Sequence, residues 1–218
     1  SARAITVSAY DLREGLLLEM AGAGTERRSD PLRLVRAYDE RCQSDRRHVE
    51  HVRHLALLLF DQLGAQLGAG AEERPLLEAA ALLHDVGQIV SYRRHHRHSF
   101  QLIMHADRLN LSARDRMTVA LVSRYHRKSG PRKKHDDYAR LATGDRAVVR
   151  RLSAILRVAD GLDRGHTAIV ESVVAEVQPD RLEIVVAPRF AGADLSLECW
   201  GGARKSDLLA LLMKRDVV

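Results

Sequence analysis

The stretch "LLHDVGQIVSYRRHHRHS", residues 82–99, ends an apolar run with an adjacent histidine and aspartate, His84 and Asp85. Three more histidines, His95, His96 and His98, follow within fourteen residues of His84. Upstream, "PLLEAAALLHDVG" opens on Pro75 and closes on Gly87. Proline in the first turn and glycine just past the last are how a helix starts and stops. An imidazole and a carboxylate thus stand at the end of an apolar helix. The stretch alone leaves two readings open, a metal site with a basic rim or a solvated loop rich in histidine.

Helical spacing continues on both sides of it. "HVEHVRHLALLLFDQLGAQLG", residues 48–68, repeats its apolar positions at helical period, with a start near Ser44 or Asp45. His51 sits there above the stripe Val52, Leu55 and Leu58, while His48 and His54 are expected on the solvated side. Helices also fit residues 98–108, 113–128 and 146–163, the second opened by a capping pattern of Ser112 and Asp115. Asp160 lies in "LSAILRVADGLDR", one turn after Leu156 on an apolar face. A carboxylate there is costly unless it is paired, hydrogen-bonded or bound to a cation. His126, in "VALVSRYHRKSG", follows Val119 and Val122 on an inward stripe, and His98 begins a helix with Leu102 and His105 on its side. His105 reads as a hydrogen-bonded core residue, and His95 and His96 as loop residues on the rim.

At the N-terminus, residues 5–20 read as a strand and a short helix, residues 21–30 as a linker, and Asp30-Pro31 as a helix start. After His166 the texture changes. "AIVESVVAEV" and "RLEIVVAPRF" alternate and carry β-branched residues, with Pro179-Asp180 as the turn between them. "DLSLECW" is expected as a third strand, "WGGARKS" as a strand-to-helix connection, and "ARKSDLLALLMKR" as a closing helix. The expected architecture is mainly α: an N-terminal segment over 1–30, a helical domain over 31–166 and a small α/β subdomain over 167–218.

Composition narrows the function. The 218 residues are 45% apolar and 29% charged with five prolines, which excludes disorder as the general state. No stretch is long and apolar enough for a membrane span, and the first residues lack a signal-peptide pattern. Cys42 and Cys199 are far apart and suggest no disulfide framework, so a cytoplasmic protein is expected. The net charge of +6 is concentrated in Arg93, Arg94 and Arg97 and in a second cluster from Arg124 through Arg127 and Lys128 to Lys134. Such a field attracts polyanions. With aromatics at only 4% and none interleaved with the basic runs, phosphate is favoured over nucleic acid. Two imidazoles and two carboxylates, His51, His84, Asp85 and Asp160, suit a divalent ion such as Mn, Ni, Fe, Mg or Zn. With His98 and His126 the set could hold two ions, an arrangement suited to phosphoester hydrolysis.

The order His51, His84-Asp85, Asp160 resembles the HD superfamily of metal-dependent phosphohydrolases, and His98 and His126 match the positions that support a second metal in its binuclear branches. "ITVSAYDLREGLLLE", "LLHDVGQIVSYRRHHRHS", "RYHRKS" and "LRVADGLDR" are together similar to the C-terminal part of the Ppx/GppA exopolyphosphatases and guanosine pentaphosphate phosphohydrolases. The resemblance covers nearly the whole chain and implies an HD-like helical bundle that forms a homodimer and handles polyphosphate or a nucleotide. Arg94, Arg97, Arg127 and Lys128 would neutralise phosphate oxygens. That family hydrolyses phosphate in N-terminal actin-like domains with Gly-rich loops, and this sequence contains no such loops. It begins where those domains are expected to end, with Asp11 where the family segment has glycine. The expectation is either a metal-dependent phosphohydrolase or a non-catalytic polyphosphate-binding and dimerisation module.

Overall fold

The computed structural model describes residues 32–218. The strand, helix and linker expected over residues 5–30 and the Asp30-Pro31 helix start lie outside the described residues. Residues 34–218 form one compact unit. The part before the sheet is helical: α1 (Arg33–Cys42), α2 (Arg46–Leu63), α3 (Arg74–Leu83), α4 (His95–Met104), α5 (Ala113–Tyr125), the short α6 (Asp136–Ala139) and α7 (Thr143–Gly161). Then come the hairpin β1 (Val170–Val177) and β2 (Arg181–Pro188), helices α8 (Ser196–Lys205) and α9 (Asp207–Met213), and a two-residue β3 (Asp216–Val217).

Local chemistry sets several of these boundaries. Asp45 caps α2 by accepting a hydrogen bond from the His48 amide at 3.3 Å, so the helix starts one residue later and His48 falls in its first turn. Ser112 caps α5 through the Asp115 amide at 3.1 Å. Pro75 stands in the first turn of α3, and His84 ends that helix before a 3₁₀ turn over Val86–Ile89. The apolar face of α2 (Val52, Leu55, Leu59, Leu63) meets those of α3 and α7, on which α5 packs in turn, in a core containing Leu77, Leu82, Leu121, Leu152 and Ile155, all essentially without solvent contact. This burial is the main source of stability.

The strands lie against the bundle. β1 packs on α2 and pairs antiparallel with β2, with an irregularity between Val170 and Ser172. Gln62 of α2 closes the outer edge of β1. Its amide nitrogen donates to Val173 O at 2.9 Å and its oxygen accepts from the Ala175 N–H at 2.8 Å, as a neighbouring strand would.

The third strand is not "DLSLECW". Those residues enter α8, and β3 pairs instead in parallel with β2 at Arg181–Asp216 and Leu182–Val217. The alternation of Leu195, Leu197 and Cys199 imitates a strand. What decides the helix is the Asp194 carboxylate, which accepts from the Ser196 amide at 2.9 Å, and the contact made one turn later by Gly201. A Cβ on Gly201 would stand 2.3 Å from Gly161 O, and one on Gly161 would stand 2.5 Å from Gly201 O. Only glycine lets α7 and α8 cross this closely. "WGGARKS" is therefore helical surface rather than a connection, and the closing helix starts only at Asp207. His105 is also not in the core. It is exposed, with Nδ1 2.8 Å from Gln101 O.

Gly201→Ala should cost about 1–3 kcal/mol, the usual scale for overpacking, and each kcal/mol should lower the melting temperature by roughly 2–4 °C. Gly144→Ala, where an added Cβ meets nothing within 4 Å, should be neutral or slightly stabilising in the same melt.

Candidate metal centre

Five helix termini converge on one point. His48 comes from the first turn of α2, His84 and Asp85 from the end of α3, His95 from the first residue of α4, and His126 from just past α5. Asp160 comes from the last turn of α7. All six are buried. Their donor atoms form two triplets, His48 with His84 and Asp160, and Asp85 with His95 and His126, the atoms of each within 4.8 Å of one another. Asp85 stands between the triplets. Its Oδ1 is 3.1 Å from His95 Nε2 and 3.6 Å from His126 Nε2, and its Oδ2 is 3.7 Å from His84 Nε2 and 3.9 Å from His48 Nε2. Gln88 donates to Oδ2 from the 3₁₀ turn.

The outer nitrogens of the rings are held from behind. His84 Nδ1 donates to Ala81 O at 2.7 Å and His126 Nδ1 to Ser123 O at 2.6 Å, each the carbonyl three residues earlier. His48 Nδ1 is 2.8 Å from Asp163 Oδ2, and His95 Nδ1 is 3.1 Å from Tyr92 O. With Nδ1 donating, Nε2 presents a lone pair. The facing lone pairs converge: His84 and His48 Nε2 lie 3.3 Å apart, His95 and His126 Nε2 3.1 Å apart. Converging acceptors repel unless a cation or proton lies among them. Imidazoles oriented by carbonyls and a carboxylate are the outer-shell pattern of metal sites, and the nitrogen and oxygen donors suit a divalent ion.

The electrostatics agree. Burial opposes charge on His48, but hydrogen bonds donated to Asp160 and Asp163 and the charges of Asp160 and Asp85 outweigh it and lift the ring to about 10. Burial pushes His84 down and His126 down to about 3. Burial also works against the charge of Asp85 and Asp160, yet both stay well below the carboxylate range: His84, His95 and His126 overcome it at Asp85, and Lys205, His48 and His126 at Asp160. Lys205, from the last turn of α8, pairs directly with Asp160 Oδ2. Where Gly161 and Gly201 touch, Asp160 and Lys205 are brought together.

Of the residues singled out in the sequence, His84, Asp85, His126 and Asp160 meet here. His51 and His98 do not join either triplet. His51 faces inward one turn further along α2, with Nε2 2.7 Å from Val170 O and Nδ1 3.1 Å from Asp163 Oδ1, so it braces Asp163, whose other oxygen holds His48. His98 is half-buried on α4, three residues past His95. His48 is not solvated and His95 is not a rim residue, since both are at least 97% buried. The missed signals were phases. His48 is four residues before Val52, and His95, Ser99 and Ile103 form an inward stripe once α4 starts at 95 rather than 98. Ser99 secures that placement by donating to His84 O at 2.7 Å and accepting from the Gly87 amide at 2.9 Å. A Cβ on Gly87 would stand 2.2 Å from His95 O.

A cleft of about 430 Å³ opens over Asp85, His95, His126 and Asp160. Arg127 and Lys128 line it, joined by Arg157, Arg164, Arg204 and Lys205, which local spacing does not reveal. Arg94 and Arg97 line a different cavity.

His48→Ala and His95→Ala should each cut divalent-metal uptake, measured by elemental analysis, while His98→Ala should leave it near wild type. Asp163→Asn should weaken affinity roughly 10–100-fold, the usual scale for an outer-shell partner. A second expectation concerns pH. With no ion bound, His48 titrates near 10, above its ordinary 6.5, so its stabilising charge is complete below pH 6.5 and lost as pH rises through about 10. Chelated protein should therefore melt at lower temperature at pH 10 than at pH 7, and protein loaded with metal should show less of this loss.

Residues 32–191 match the family model for Ppx/GppA phosphatase, domain III. Among curated proteins, the chain is similar to enzymes named guanosine-5'-triphosphate,3'-diphosphate pyrophosphatase. It is 26% identical to that of Pseudoalteromonas atlantica over 73% of this chain and 31% of the relative. It is 25% identical to that of Vibrio vulnificus over 89% and 40%, and 30% identical to that of Aeromonas hydrophila over 71% and 31%. The chain thus spans less than half the length of these relatives. With the match covering most of its residues, the chain belongs to the Ppx/GppA phosphatase family and carries that family's domain III.

Proposed function

We propose that this unit is an HD-type, metal-dependent phosphohydrolase centre acting on a phosphoester or phosphoanhydride. The observation that carries the reading is the convergence of four imidazole Nε2 atoms on the two oxygens of Asp85, beneath a cleft rimmed by arginine and lysine. His48, His84, Asp85 and Asp160 would hold one divalent ion, and His95 and His126 with Asp85 a second. Such ions supply Lewis acidity at a phosphoryl group.

The chain's own residues do the rest. Gln88 fixes Asp85 so that one oxygen serves each triplet. Asp163, braced by His51 and by the Ala168 amide at 2.8 Å, keeps the His48 ring in place. Arg127, Arg164, Arg204 and Lys205 line the cleft and neutralise phosphate oxygens there. Arg204 lies over the Trp200 ring and Arg127 over the Tyr92 ring, each with its guanidinium carbon 5.4 Å from the centroid, so two rim arginines are held by aromatic faces. The names of the relatives point to the phosphate chain of a guanosine nucleotide as the substrate class, with polyphosphate as the alternative. Within a longer polypeptide the same centre would act beside other domains.

A screen of nucleotides, cyclic phosphodiesters and polyphosphate with Mn, Ni, Co and Mg should yield metal-dependent hydrolysis. Asp85→Asn should lower it by at least two orders of magnitude, since one carboxylate serves both triplets and removing a group aimed at developing charge costs about 10²–10³ in turnover. Lys205→Ala should weaken turnover less and leave metal uptake intact. Hydrolysis no faster than in Asp85→Asn would leave phosphate binding as the function of this unit.

A further inference from the structure

Beside the metal cleft lies a second cavity of about 240 Å³, lined by Arg94, Arg97, Arg124, Arg127 and Lys128 together with His135. No carboxylate lines it, whereas Asp85, Asp160 and Asp207 line the metal cleft. Among the described residues, Arg94, Arg97, Arg127 and Lys128 have no carboxylate within 4 Å, and Arg124 has Asp137 at 3.0 Å. Five cations around one small space repel one another, and an anion among them relieves that repulsion.

The walls are built rather than incidental. Arg94 adopts a left-handed backbone with φ 62° and Lys128 with φ 65°, a region uncommon for side-chain-bearing residues. Lys128 is fixed by the buried Arg157, which donates to Lys128 O at 2.8 Å and to Tyr125 O at 3.3 Å while gripping Asp207 at 2.7 Å. Arg124 lies over the Phe100 ring at 5.2 Å. His135 Nδ1 accepts from the Tyr125 hydroxyl at 2.9 Å and from the Arg132 amide at 3.3 Å, which places its proton on Nε2 and makes the ring a neutral donor. Arg94 stands just before α4 and Arg97 in its first turn, and a helix N-terminus favours negative charge.

We infer that this cavity is a separate binding site for a tetrahedral oxyanion, a phosphate ion or the terminal phosphoryl group of a larger ligand, held by Arg94, Arg97 and Arg124 without help from the metal. Arg127 and Lys128 line both cavities, so an anion here neighbours the metal cleft without entering it. The site does not depend on the catalytic reading above.

The test is calorimetric titration of inorganic phosphate into protein treated with chelator, and into Asp85→Ala, which removes the carboxylate shared by the two triplets. Both should bind phosphate. Adding Arg94→Asn, a residue that tolerates the left-handed backbone, and Arg97→Ala should weaken binding about tenfold or more, the scale of losing charge-assisted hydrogen bonds. The same two substitutions should leave metal content unchanged. Repeating the titration with glycerol phosphate separates the sources: equal affinity assigns a phosphoryl group, and loss of binding assigns free phosphate. A phosphate affinity that falls less than threefold in the doubly substituted protein, or no phosphate binding at all after chelation, overturns the site. Absence of metal uptake in the wild type overturns the catalytic reading and leaves this one standing.

Discussion

The Asp85 carboxylate, with two imidazole nitrogens approaching each of its oxygens, is the constraint on which the arrangement of the helical bundle depends. A buried carboxylate and four buried imidazoles are costly apart. They become tolerable together because protons or metal ions can be shared among them, and because each outer nitrogen already has a partner. Those partners are chiefly main-chain carbonyls at helix ends: Ala81 O at the end of α3, Ser123 O at the end of α5, and Tyr92 O just before α4. Helix C-termini carry unsatisfied carbonyl groups in any case. His84 and His126, at the ends of α3 and α5, each satisfy one of them and are aimed by it at the same time.

This dependence explains why the close approaches gather near the centre. Gly87 allows the turn after Asp85 to lie on the first turn of α4, which brings His95 to Asp85. Gly161 and Gly201 allow α8 to cross the end of α7, which brings Lys205 to Asp160. Arg157, almost wholly buried, ties the loop after α5 to α9 and so holds His126, Arg127 and Lys128 as one piece. The same loop is the wall between the cleft, where carboxylates and imidazoles lie beneath a basic rim, and the carboxylate-free basic cavity beside it. One segment therefore lines two electrostatic environments, one with carboxylates and imidazoles among its cations and the other without a carboxylate.

Much of this was legible in the chain. The helices over α2, α3, α5 and α7 follow from apolar spacing and caps, and the β1–β2 hairpin follows from alternation around Pro179-Asp180. His84, Asp85, His126 and Asp160 were visible as polar groups on apolar faces. Helical phase was harder to read. On α2, His48 and His51 share the inward face, and only Asp163, brought back from beyond α7, shows that His48 aims at the centre and His51 serves as its brace. On α4 a three-residue error in the start exchanges His95 for His98.

The helices of the bundle, the hairpin, and histidines and aspartates on inward faces with basic residues beside them are therefore legible in the chain alone. These are encoded in spacing along the chain, where neighbours three or four residues apart fix a face. Tertiary contacts alone set which of His48 and His51 faces the centre, that "DLSLECW" turns into a helix, and that the basic residues divide into two cavities. Each of those outcomes depends on contacts between residues far apart in the chain: Asp163 with His48, Gly161 with Gly201, and Arg157 with the Lys128 carbonyl. Periodicity carries no information about such pairs, because their energy is set by packing distance rather than by position in the chain.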